Sequence, residues 1–158
     1  IYRTRAYAVN GHLRREHRDK LTDYFIEGLE RGRAVTAEQL YDAYSHLNRY
    51  RAYVREFFER WDVLLTPTLA VPAFPINRHP ERIGGKPVPH RLWGFTPFTY
   101  PFNMAMTPAA TVPAGFSRGG LPIGLHIIGR FSDEETVLAA SAAFGEARPW
   151  AQHRPRGF

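Results

Sequence analysis

An α/β chain, with helices layered on apolar strands, is what the sequence predicts. Three observations lead there. The first third carries apolar residues at helical spacing, short apolar runs follow, and an alanine-rich segment with helix signals comes after the last of them. Helices lying before, between and after buried strands pack as layers over a sheet.

The first helix is expected over about 12–31, where Leu13, Leu21, Tyr24, Phe25 and Leu29 recur at mostly helical spacing, with Gly32 as a left-handed C-cap. The second is expected over about 37–60. Thr36 and Gln39 have the spacing of a capping box, in which each side chain satisfies the other residue's orphan amide. The stripe Leu40, Tyr44, Leu47, Val54, Phe57, Phe58 and Trp61 marks the buried face of this helix. Asp62 to Thr66 reads as a short apolar strand stopped by Pro67.

From Pro67 to Pro108 the chain has no clear period and holds nine of its 13 prolines. So long a loop is functional or a seam to another part, with Gly84-Gly85 as its most mobile point. Ala109–Phe116 and Leu121–Gly129 read as two strands of a hairpin joined through Ser117, Arg118, Gly119 and Gly120. The second shows little alternation and is expected to be covered on both faces. Ser132 and Glu135 repeat the capping-box spacing before a helix over Thr136–Ala147. Pro149 ends that helix, and the tail from Ala151 is expected on the surface. No internal repeat is visible.

Hydrophobic residues at 44% and aromatics at 14% give a globular composition rather than a disordered one. The absence of cysteine excludes disulfides and thiolate chemistry and fits a cytoplasmic location. No apolar run approaches the roughly 20 residues of a membrane-spanning helix. The net charge of +6 rests almost wholly on arginine, scattered from Arg3 to Arg156. It reads as a solvated surface rather than a nucleic-acid patch, and no membrane partner is expected. Ile1–Arg5 holds neither a start methionine nor a signal-peptide pattern, so the chain reads as a piece of a longer one.

No self-contained active site emerges from the residues. Ser45 and Ser141 fall in predicted helices, Ser117 in a turn and Ser132 at a cap, and none stands in a nucleophile elbow. His12 and His17 are five apart, one too many for a shared helical face. His79 and His90 lack cysteine or carboxylate partners at ligand spacing. His126, alone on an apolar strand, reads as a hydrogen-bonded core or pocket residue rather than a metal ligand. Gly119-Gly120 leads into a strand, so no phosphate loop is present. Asp133, Glu134 and Glu135 open a helix and complement its dipole. Neither a metal nor a cofactor is expected.

Two segments carry a resemblance: FFERWDVLLTPTLAVPAFP (Phe57–Pro75) and FTYPFNMAMTPAATVPAGFSRGGLPIGLHIIGRFSDEETVLAASAAFGEARPW (Phe98–Trp150). Their order, spacing and turn chemistry resemble the closing third of the amidase-signature family, over roughly Arg31 to Trp150. The resemblance implies the C-terminal part of an α/β/α sandwich with a mixed β-sheet. It also implies hydrolysis of amides through an acyl-enzyme made by a serine activated by a second serine and a lysine. Those residues belong to a glycine-serine-rich region absent here, and Lys20 and Lys86 stand in no matching context, so no catalytic residue can be assigned in this chain. The segment Thr99, Tyr100, Pro101, Phe102 and Asn103 resembles the part of the family near the substrate cleft. Thr99, Tyr100, Phe102, Asn103 and His126 are therefore the expected substrate-pocket residues.

Two departures stand out. Many members have glycine and glutamine near Met106 and Thr107, and glutamine where His126 stands. No carboxylate accompanies Thr96 in WGFTPFTYP, where the amidotransferase branch of the family is expected to carry one, which favours a general amidase or carbamoyl-hydrolysing relative. The implied partners are a small amide substrate in the full-length enzyme and either the missing N-terminal portion or a second copy. The alternative is a non-catalytic structural or interaction module.

Overall fold

A computed structural model describes residues 1–88, 90 and 93–153. Positions 89, 91 and 92, within the proline-rich loop, and the tail beyond 153 lie outside the described residues. The chain divides into two compact units, Ile1–Tyr50 and Arg51–Phe158.

The first unit is helical: α1 (Tyr2–Asn10), α2 (Leu13–Glu16), a 3-10 turn (Arg18–Lys20), α3 (Asp23–Arg33) and the start of α4 (Ala37–Phe57). The single helix expected over 12–31 is broken. His17–Lys20 carries no apolar residue to hold a helical turn against a core, and Leu21 and Thr22 are extended. Arg14 of α2 pairs with Glu30 of α3. Gly32 is not a C-cap. It lies inside α3, which ends on Ala34 in right-handed geometry. A Cβ at Gly32 would stand 2.1 Å from the Arg3 carbonyl oxygen, so glycine lets α1 cross α3 at backbone contact. The capping box of α4 forms as expected: the Gln39 amide donates to Thr36 Oγ1 at 3.2 Å, and the Thr36 amide donates to Gln39 Oε1 at 3.1 Å.

The α4 stripe is only partly core. Leu47, Val54 and Phe58 are buried, whereas Tyr44 and Trp61 are exposed. Its helix stops at Phe57, and the following turn tightens into bonds from Glu59 N to Glu56 O and from Arg60 N to Phe57 O.

The second unit holds a three-stranded antiparallel sheet in the order β1 (Val63–Pro67), β5 (Pro122–Gly129), β4 (Ala109–Phe116). Pro67 belongs to β1 instead of stopping it, pairing with Leu125 at the strand's end. Gly120, at φ 77°, closes the β4–β5 turn, and the register slips between Pro113 and Gly115 in a bulge. The central strand is buried only over His126–Gly129, while Pro122 and Ile123 are exposed, so the expected two-sided cover reaches half of it.

Opposite faces of the sheet meet different helices. A Cβ on Gly129 would lie 2.5 Å from Val137 Cγ2, which puts α6 (Glu134–Ala147) against the Ile127 face. The Asp133 carboxylate, not Ser132, caps α6 by accepting from the Thr136 amide at 3.2 Å; Ser132 sits at φ 59°. The other face receives the short helix α5 (Tyr100–Ala105) through the Phe102 ring on His126. Helix, sheet and helix therefore form three layers within this unit.

Small devices shape the described residues of the proline-rich stretch. Gly84 and Gly85, both at positive φ, make the two-residue turn of a hairpin between β2 (Arg82–Ile83) and β3 (Lys86–Pro87). The Phe74 ring stands edge-on to Phe95 at 5.1 Å, and the Ala70 amide donates to the Phe95 carbonyl.

Candidate functional site

His126 lies on the central strand with Thr66 opposite on β1 and Thr111 opposite on β4. Partners paired across antiparallel strands point to the same face, so two hydroxyls flank the imidazole. His126 is 5% exposed and is the buried polar side chain among the described residues. Its Nδ1 stands 3.5 Å from Thr66 Oγ1, whose own proton goes to the Pro67 carbonyl at 3.0 Å. Burial lowers the imidazole below its ordinary titration range, and a hydrogen bond to the Phe98 backbone acts the other way.

Above the ring sits the segment that the sequence marks as pocket-forming. Phe102 meets His126 edge to face, with centroids 5.9 Å apart. Thr99 precedes α5. Its carbonyl accepts from the Phe102 and Asn103 amides, and its hydroxyl donates to the Thr96 carbonyl at 3.2 Å. Tyr100 packs edge to face on Trp93 at 5.9 Å. Tyr100 and Asn103 are exposed, whereas Thr99 and Phe102 are half-buried. A six-residue helix is too short to persist alone. Three further contacts hold it: Arg51 Nε donates to the Met104 carbonyl at 2.9 Å, Thr107 N donates to the Phe102 carbonyl, and Ala105 is buried.

Of the five sequence-marked residues, Phe102 and His126 are in contact, and Thr99, Tyr100 and Asn103 belong to the same short segment as Phe102. Tyr100 and Asn103 are exposed, while His126 is buried against Phe102. Thr66, Phe98 and Thr111 complete the corner and carry no sequence signal of their own, because strand register brings the threonines there. Gly124 belongs with them: a Cβ there would lie 2.6 Å from Thr68 Oγ1 and 2.7 Å from Thr111 Cγ2, which would disrupt the 3.3 Å contact between those threonine hydroxyls.

Two of the serines do structural work in this fold. Ser117 Oγ accepts from the Leu121 amide at 3.1 Å, and Ser141 Oγ donates to the Val137 carbonyl at 2.7 Å. Among the described residues, no three histidine, aspartate or glutamate side chains converge as metal ligands, and no helix is long and apolar enough to cross a membrane.

Comparison with known proteins places this geometry. The Amidase family model matches residues 5–138. An acylamidase from Rhodococcus erythropolis is 35% identical over 139 residues, 87% of this chain and 29% of the relative. A glutamyl-tRNA(Gln) amidotransferase chain from Geobacter metallireducens is 45% identical over 93 residues, 59% of this chain and 18% of the relative. A solved bacterial aryl acylamidase of the amidase-signature enzymes superposes with a TM-score of 0.82 at 30% identity, over 97% of this chain and 34% of that one. The chain therefore spans about a third or less of the proteins it matches.

Proposed function

The chain belongs to the amidase family, and on that premise we propose that it is the C-terminal part of a domain that hydrolyses carboxylic amides at the C–N bond. The attacking serine, its partner serine and the lysine lie in chain outside these 158 residues. What this portion contributes is one wall of the amide pocket, formed by Tyr100 and Asn103 on α5 over the His126 corner. The observation that carries the reading is the match to an acylamidase over 87% of this chain but only 29% of that enzyme. The engagement of Ser117 and Ser141 in backbone bonds supports it, since a nucleophile needs a base and an oxyanion hole beside it. A cytoplasmic location and a small-molecule amide substrate belong to the same proposal.

Two measurements test it. The 158-residue chain, incubated with a panel of simple amides, releases no ammonia above blank. A chimera that joins the N-terminal portion of the Rhodococcus erythropolis acylamidase to this chain hydrolyses acylamides. Turnover by the chain alone that disappears in Ser117→Ala or Ser132→Ala would overturn the reading. So would a folded chimera without activity, which would favour a non-catalytic module.

A further inference from the structure

We propose that His126 is a positioning residue: it fastens the Phe98–Asn103 segment to the central strand and thereby sets where Tyr100 and Asn103 stand. The pocket role of those two residues rests on the amidase reading; the fastening itself does not.

Three observations converge on the imidazole. It is nearly inaccessible, so it does not present itself to a ligand. The Phe98 backbone, at the start of the segment, lies close enough to act on its charge. Its ring supports the face of Phe102, one turn further on. A buried polar group needs partners, and here they come from the segment above and from Thr66 below. The strand under His126 is rigid, because β5 is paired on both sides. α5, six residues long, depends on contacts from outside itself, among them the Arg51 bond to the Met104 carbonyl. The rigid element therefore sets the geometry of the weak one. A glutamine in this position has the length and the amide donor to reach the same backbone, and a phenylalanine has only the ring.

Amide hydrogen exchange on the whole 158-residue chain, read by NMR, tests this without any catalytic readout. In His126→Ala the Phe102 and Asn103 amides, both bonded to the Thr99 carbonyl, exchange faster by about tenfold, the scale of one lost buried hydrogen bond. The β4–β5 amides keep their protection, and His126→Gln restores the slow exchange. Should the alanine variant not fold, His126→Gln and His126→Phe carry the comparison, with glutamine slow and phenylalanine fast. Faster exchange spread evenly over β4, β5 and α6, no change at Phe102, or full restoration by phenylalanine overturns the proposal. Absence of activity in the chimera described above touches the amidase reading and leaves this result unaffected.

Discussion

His126 makes stability depend on pH in a definite direction. Burial is the larger cause acting on its ring and holds the folded value below 6.5, the ordinary histidine value. The unfolded chain therefore takes up a proton before the native chain does. Stability from the neutral ring is fully present above the unfolded value, declines as pH falls below about 6.5, and stops declining once pH passes below the depressed native value. Urea midpoints compared between pH 8 and pH 5 should fall in the wild type, and His126→Gln should remove the part of that fall owed to this group. An equal fall in both proteins would show that the ring is not responsible. The sequence marks His126 by its isolation among Ile123, Leu125, Ile127 and Ile128, but not its partners. Thr66 and Thr111 reach it only through register, which composition and periodicity do not encode.

Elements show why some local signals read true and others do not. The Thr36–Gln39 box is a short-range device whose two bonds depend on nothing distant, so spacing alone identifies it. Gly32 follows the same kind of rule on paper, yet its neighbour Arg3 decides its role from far along the chain. Asp133 displaces Ser132 as the α6 cap because a carboxylate one residue later reaches the Thr136 amide. The proline-rich stretch hides its hairpin because two strands of two residues each leave no alternation to read. Gly129 extends the point to packing. Gly129→Ala puts a methyl against Val137 and should destabilise the chain by roughly 1–3 kcal/mol, as overpacking does. Adding Val137→Ala should recover part of that loss. Chemical denaturation of the two single variants and the double variant checks the coupling; strictly additive effects would place α6 elsewhere.

At the scale of the whole molecule, apolar side chains remain uncovered in the second unit. α6 packs on β4 and β5, and Leu65 on the outer strand stays 54% exposed, with Leu138 of α6 at 67%. Ile123, Trp61 and Ile76 add to the uncovered apolar surface. Monomeric proteins rarely leave apolar patches beyond a few hundred Å² open. Sedimentation velocity at micromolar concentration should therefore show dimers or larger species, and Leu65→Lys with Leu138→Glu should shift them toward monomer. A single monomeric boundary for the unsubstituted chain would contradict this. The layered fold itself was readable from the sequence, since apolar runs and helix signals alternate along it. The incomplete cover was readable only as a shortage of helices for the central strand.

The strand order β1–β5–β4 carries a consequence for how the sheet assembles in time. β4 and β5 are joined by one short turn, so they can meet within microseconds. β1 reaches β5 only by closing a loop, with Thr66 and His126 separated by 60 positions. Loop closure of that length slows formation of the non-local pair. During synthesis, moreover, β1 leaves the ribosome well before its partner exists. Through that interval Val63–Pro67 is an unpaired apolar segment, exposed to chaperones and to other nascent chains, and the sheet can close only after Gly129 has emerged.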